Sequence, residues 1–270
     1  MKYLKLFNDA ASYDAWKNSE EYVLPNVVFS KETGVVYYAA YVAQSSPNLV
    51  CVYDIVDISR ETPIMSGYGT YAYTGMIVDG VEMDVDAYHQ FDTVGLHTIE
   101  FVYDENYNTM LPGQGFEFVE QLVSVTIPNS VTSIGDRAFY ACSNLTEITI
   151  PNSVTSIEYG AFYNCSSLTE IVIPDSVTSI KSETFYNCSS LTEIVIPDSV
   201  TSIGSYAFED CNSLNAVYCK VLTPPDISSY SVFESNATDR NIYVPMESVD
   251  AYKSADGWSV YADYIVGYNF

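Results

Sequence analysis

The sequence predicts a mixed α+β chain: an N-terminal helix and hairpin, a small β domain, a solenoid of 23-residue coils and a C-terminal cap. The dominant observation is a unit that recurs four times, nearly letter for letter, over residues 122–213. A unit this short cannot enclose a core alone, so each copy must stack on its neighbours. The other two observations are strand-like runs ahead of the repeats and an atypical aromatic tail behind them.

The element order begins with a helix. Asn8 or Asp9 can cap a helix running to about Glu20, with Phe7, Ala11 and Trp16 on its buried stripe. Pro25 ends this piece. Apolar runs at 27–29 and 35–38 flank Glu32-Thr33-Gly34 and read as a hairpin. From about Ala39 to Glu117 the period changes to that of strands, at 49–55, 69–73, 76–78, 81–83 and 97–103. Asp79-Gly80 is a tight-hairpin signal. Short strands at this spacing point to a small β-sandwich of immunoglobulin-like type. The stretch 104–115 reads as a linker. The expected division is 1–40 as helix, hairpin and attachment segment, 41–117 as β domain, 118–225 as solenoid and 226–270 as cap.

The repeats read LVSVTIPNSVTSIGDRAFYACSN (122–144), LTEITIPNSVTSIEYGAFYNCSS (145–167), LTEIVIPDSVTSIKSETFYNCSS (168–190) and LTEIVIPDSVTSIGSYAFEDCNS (191–213). In the third copy Leu168, Ile171 and Ile173 face inward from a short strand. Pro174 ends the ladder because it has no N–H to donate, and Asp175-Ser176 turns the chain. Val177 and Ile180 point inward from a second extended piece, and Thr184, Phe185 and Cys188 return on a short helical or 3₁₀ turn. Stacking therefore predicts columns of Leu, Ile, Ile, Val, Ile, Phe and Cys. The cysteine column at Cys142, Cys165, Cys188 and Cys211 reads as a buried thiol ladder, since stacked side chains point the same way and suit a disulfide poorly. Cys51 and Cys219 lie outside it.

The LxxLxL opening, the IPxSVTSIG stretch and the AFxxC ending together resemble the bacterial BspA-like subclass of leucine-rich repeats, over about residues 122–225. That resemblance implies protein or glycan recognition and adhesion, with no catalytic residues to carry over. The segment IYVPMESVDAYKSADGW is similar to the C-terminal cap of such proteins in gut Bacteroidota. FNDAASYDAW and FDTVGLHTIEF resemble what precedes such repeats in proteins of those bacteria and their phages.

The candidate binding residues are the outward repeat columns. Thr146, Thr169 and Thr192 stand beside Glu147, Glu170 and Glu193 on the strands. The glutamates either hold a cation or meet a basic partner, or they only solvate the face. Tyr140, Tyr163 and Tyr186 follow the Phe of each copy. They form either a recognition surface, because Tyr gives large contact area at low entropy cost, or a shield for the flank of the core.

With 35 acidic against 10 basic residues the formal net charge is −25, which repels nucleic acid and anionic lipid. No membrane-inserting stretch is present in the sequence, and residues 1–16 lack the apolar core of a secretory leader. His89 and His97 have no partner at triad or ligand spacing, and Asp79, Glu82, Asp84 and Asp86 read as a solvated hairpin end rather than a calcium loop. The expectation is a non-enzyme with no catalytic residue, metal or cofactor. Its role would be recognition or structure on a phage particle, alongside other virion proteins and displayed on the virion surface. The alternative is an adhesin on the bacterial cell surface; a glycan-active enzyme ranks below both. The partner is a protein or a cell-surface glycan, and homo-oligomerisation through the N-terminal helix is an open arrangement.

Overall fold

The computed structural model describes residues 48–66, 73–103, 110–227 and 231–270, together with the backbone of one short strand pair near the N-terminus. The chain divides into two units, Met1–Ser46 and Pro47–Phe270. In the first, Val28–Phe29 pairs antiparallel with Val36–Tyr37. The helix expected from Asn8 or Asp9 to Glu20 lies outside the described residues.

The second unit is built almost wholly of β-structure and turns. Each coil contributes a strand or a bridge to one face and a two-residue strand to a second. On the first face Leu122–Thr126 pairs in parallel with Glu147–Thr149, and a separate parallel sheet holds Glu193–Ile196, Ala216–Cys219, Asn241–Pro245 and Ile265–Tyr268, which the coil before it joins through the Val172–Val195 bridge. The sheet of the second face runs in parallel through Met110–Leu111, Ser133–Ile134, Ser156–Ile157, Ser179–Ile180, Ser202–Ile203 and Asp226–Ile227. The coils therefore begin before and end after the four visible copies. Residues 110–115, the end of the stretch expected as a linker, already belong to the first coil, in which Leu111, Phe116 and Val119 are buried.

The third side of every coil is a pair of tight turns. The turns pass hydrogen bonds between coils just as strands do: Phe139 N–H donates to Ala161, Phe162 to Thr184, Phe185 to Ala207 and Phe208 to Val232. The expected helical or 3₁₀ turn is replaced by a pattern with two left-handed residues four apart. They are Arg137 and Ala141, Gly160 and Asn164, Glu183 and Asn187, Tyr206 and Asp210. A helix would direct its N–H groups along its own axis; this conformation aims alternate ones at the next coil, while those between, such as Ala138, Tyr140 and Cys142, bond three residues back.

Inside, like residues stack as the repeat predicts. Phe116, Phe139, Phe162, Phe185, Phe208 and Phe233 form one column, with successive centroids 5.3–5.5 Å apart and planes within 13°. Each column cysteine donates its S–H to the carbonyl of the Phe one coil back, as Cys188 does to Phe162 at 3.2 Å. In the last coil Asn236 takes the cysteine's place, and its amide donates to Phe208 O at 2.7 Å. Ser153 and Ser199 hydroxyls likewise donate to Val131 and Val177 carbonyls one coil back. Burial pushes the Cys211 thiol up to about 12 and that of Cys219 to about 11.

The expected fold class is corrected on two counts. Among the described residues the α-helix is limited to Val249–Ser254, so the architecture there is β-rich rather than mixed α+β. Nor do the strands of the β segment form an immunoglobulin-like sandwich. Leu49–Ile55, Gly95–Tyr103, Tyr73–Val78 and Val81–Met83 make one antiparallel sheet, and Leu49–Ile55 also pairs with the first repeat strand, Leu122–Thr126. The β segment thus uses its free edge to continue the solenoid sheet. Asp79 (φ 48°) and Gly80 (φ 86°) make the tight hairpin turn that their dipeptide signals.

Both ends of the Phe column are closed by rings turned across it. Phe101 meets Phe116 at 67°, and Tyr261 and Trp258 meet Phe233 at 80° and 46°. Trp258 is fully buried, its indole N–H donating to Pro225 O at 2.7 Å. The helix Val249–Ser254 is short: Ser248 makes no side-chain cap, and Ala255 is already extended.

Replacing Phe185, which is fully buried, with Ala should cost about 3–5 kcal/mol, seen as a lowered melting midpoint by circular dichroism. All six cysteines are free and buried. A thiol reagent at pH 8 should therefore label none of them in the folded protein and all six in guanidinium. Gly204 has no room for a side chain, since an added Cβ would lie 2.3 Å from Ser182 N. Gly204→Ala should destabilise by about 1–3 kcal/mol, read from the denaturant midpoint.

Candidate interaction faces

The coil-to-coil register turns each repeat position into a row, so the surface consists of columns. On the first face Thr146, Thr169 and Thr192 are exposed, as are Glu147, Glu170 and Glu193. Glu147 sits opposite Ser124 and Glu193 opposite Ala216. The Val172–Val195 bridge places Glu170 beside Glu193. The column carries like charges at the spacing of adjacent strands, about 4.8 Å. No described Lys or Arg forms a salt bridge with it.

At the C-terminal end of the same face lies an aromatic patch that the repeat pattern alone did not reveal. Tyr218 stacks on Tyr243 at 4.9 Å, and Tyr268 packs edge-on against both. Phe270 covers Tyr268. Tyr218 is visible in the sequence at the fifth repeat slot. Tyr243 and Tyr268 lie beyond the regular copies, so only strand pairing aligns them.

The turn face carries the tyrosine ladder. Tyr140, Tyr163 and Tyr186 stack with centroids 4.5 and 4.7 Å apart and planes 10° and 9° from parallel. All three are half-buried: one face of each ring rests on its neighbour while the edges stay in water. Phe118, 62% exposed, extends the row at its N-terminal end by packing edge-on against Tyr140. Arg137 lies over the rings of Tyr140 and Tyr159 at 5.3 and 5.6 Å.

Further along, the turn face becomes acidic. The Tyr159 hydroxyl donates to Glu183 Oε2 at 2.5 Å. An open cleft of about 280 Å³ is lined by Tyr163, Glu183, Tyr186, Tyr206 and Glu209. The hydrogen bond from Tyr186 to Asp210 pushes the Tyr186 phenol well up. Burial, then the charges of Asp210, Glu234 and Glu183, pushes the Glu209 carboxyl up. Glu209 Oε2 is buried with no hydrogen-bond partner among the described residues.

In the β segment the structure corrects one expectation: His97 does have a partner. Its Nδ1 lies 2.6 Å from Asp79 Oδ2, and its Nε2 lies 2.9 Å from the Thr93 carbonyl and 3.3 Å from Thr93 Oγ1. The hairpin turn brings Asp79 across from a strand 18 residues later. The trio has the outline of a nucleophile–His–Asp set, but the ring faces an acceptor at each nitrogen. The shorter contact of Nε2 is with the backbone carbonyl rather than with the hydroxyl, and the trio ties the Asp79-Gly80 turn to the strand Gly95–Tyr103. Of the acidic neighbours, Asp86 accepts from the Ala87 N–H and Asp79 from the Thr98 N–H. These carboxylates are committed to their own turns and do not converge.

A family model described as a BspA type leucine-rich repeat region matches residues 109–238 in six copies. Among solved structures, the chain is similar to a leucine-rich repeat protein of T. pallidum, with 34% identity, 49% of this chain and 60% of that chain covered, and a TM-score of 0.43. It is also similar to a leucine-rich cell surface protein of Faecalibacterium prausnitzii, with 28% identity, 42% and 44% covered, and a TM-score of 0.28. A leucine-rich repeat protein of Bacteroides ovatus matches with 21% identity, 58% and 45% covered, and a TM-score of 0.36. The chain thus spans 60% of the first of these proteins and less than half of the other two. No curated protein matches the chain.

The Tyr186–Asp210 bond gives a titration with a definite sign. The folded phenol ionises above the ordinary tyrosine value of about 10, so the bond's contribution to stability is complete below that pH and is lost as pH rises through the folded value. A difference titration at 295 nm against Tyr186→Phe should place the step above the ordinary range. Asp210→Asn should bring it down.

Proposed function

We propose that this chain, whose residues 109–238 match a BspA type leucine-rich repeat region, is an adhesion protein, binding a protein partner through its outward columns. The observation that carries the reading is the ladder of Tyr140, Tyr163 and Tyr186, three stacked rings held half in water on a rigid spine. Stacking fixes the side chains before any partner arrives, so little rotamer entropy remains to be lost on contact. The exposed threonines and glutamates of the sheet face, Thr146, Thr169, Thr192, Glu147, Glu170 and Glu193, form a second, polar surface beside an aromatic end at Tyr218, Tyr243 and Tyr268.

The location that suits such a surface is the outside of a bacterial cell. The role on a phage particle expected from sequence has no structural observation behind it, so the cell-surface reading is the one carried here. A glycan partner would use the same aromatic faces through ring stacking. The high negative charge directs either kind of partner toward basic or neutral surfaces.

The test is to apply the labelled chain to arrays of extracellular proteins and of glycans, with fold checked by circular dichroism. Retention on one or more proteins is expected, at least about tenfold weaker when Tyr140, Tyr163 and Tyr186 are replaced by Ala together, a loss of ~1.4 kcal/mol or more. Retention on glycans alone, on nothing, or undiminished by the substitutions would overturn the reading.

A further inference from the structure

The turn face is divided by charge, and its two halves explain each other. Arg137, Gly160, Glu183 and Tyr206 occupy the same left-handed slot in successive coils, with φ of 54°, 58°, 58° and 61°. In the first coil that slot supplies a guanidinium, which lies over the rings of Tyr140 and Tyr159. Two coils later it supplies Glu183, and the next ring column ends in Glu209 where the earlier coils have tyrosine. Tyr163 and Tyr186 carry the ring column on and Tyr206 fills the slot that holds Arg137 in the first coil, but no cation lies over these rings among the described residues.

We propose that the cleft lined by Tyr163, Glu183, Tyr186, Tyr206 and Glu209 receives the guanidinium of an arginine on the partner protein. This names the partner chemistry for one part of the adhesive surface and rests on the reading above. Three features carry it. The cleft, about 280 Å³, is large enough to admit the end of an arginine side chain. Its walls combine aromatic faces with carboxylates, the pairing that a planar, weakly hydrated cation uses through stacking and forked hydrogen bonds. Glu209 Oε2 is buried there and lacks a hydrogen-bond donor among the described residues, and a guanidinium brings five N–H groups. Glu234 and Asp210 add negative charge behind Glu209. Within the same molecule, Arg137 already makes the equivalent contact with tyrosine rings.

The test uses a short arginine-containing peptide and its citrulline counterpart, which keeps shape and loses charge, measured by calorimetry against the full chain. Saturable binding of the arginine peptide is expected, at least about tenfold tighter than the citrulline peptide. It should weaken at least about tenfold in Glu209→Gln and in Tyr206→Ala, each 295 nm titration and melting curve confirming an intact fold. Glu82→Gln, exposed on the hairpin of the β segment, should leave it within about twofold. Equal binding of the two peptides, or equal losses from the hairpin and cleft substitutions, would overturn the assignment. A chain that still adheres to its array partner when Glu209→Gln is introduced would sink this site while leaving the adhesive reading standing. Loss of array binding only in the Tyr140, Tyr163 and Tyr186 variant would do the same.

Discussion

Vertical alignment of identical coils is the constraint on which everything else in this molecule depends. A coil of 23 residues has too little interior to close on itself. It becomes stable only when the Phe, Cys, Ile and Val of one coil lie directly over those of the next. Three separate sets of bonds enforce that alignment: the parallel strands of two faces, the turn N–H groups and the side-chain donors of Cys, Ser and Asn reaching back one coil. Because the donors act on every side of the coil, a slip would break all three sets together. The left-handed residues in each turn are part of the same arrangement. Their conformational cost is offset by alternate N–H groups that face the neighbouring coil.

Such a stack has two open ends, and an unpaired parallel edge over an apolar core invites association. Here each end is closed differently. At the start, Leu49–Ile55 pairs antiparallel with Leu122–Thr126, and Phe101 turns its ring across the end of the Phe column. At the finish, Asn241–Pro245 and Ile265–Tyr268 extend the sheet of Ala216–Cys219 by two strands, while Trp258 and Tyr261 cross the last phenylalanine. Crossed rings stop a parallel stack because they present edges where another coil would need a face. Arg240 is buried in this cap, with its guanidinium 4.2 Å from the Tyr264 ring.

A rigid spine leaves the outer positions free to differ, and the copies use that freedom unevenly. The sheet face keeps Thr and Glu in consecutive coils. The turn face changes along its length, from Arg137 over tyrosines to Glu183 and Glu209 among tyrosines. Like charges at strand spacing repel one another, so the acidic columns spend some of the stability that the core provides. Placement on a surface where a cationic partner can relieve the repulsion turns that cost into a source of binding energy.

Much of this was legible in the repeat itself. The inward assignment of Leu168, Ile171, Ile173, Val177, Ile180, Phe185 and Cys188 follows from spacing alone, and all seven are buried. So does the stacking of Tyr140, Tyr163 and Tyr186, because equivalent positions in a solenoid must meet. The hairpin at Asp79-Gly80 was legible for a similar reason, since few dipeptides accept two positive φ angles. The β segment was not. Its strand periodicity is the same whether its edge faces a second sheet or the first coil of a solenoid, and only the pairing of Val50, Cys51, Val52 and Tyr53 with Leu122–Thr126 decides between them. His97 and Asp79 lie 18 residues apart with no spacing signal, and the hairpin brings them together. The aromatic cluster of Tyr218, Tyr243 and Tyr268 and the cleft around Glu209 arise in the same way, from neighbours on different coils. Local pattern thus determined which side of each repeat faces inward, because burial is dictated by a residue's own chemistry and period. Tertiary structure alone decided which columns end beside one another, because that depends on where the chain closes its edges.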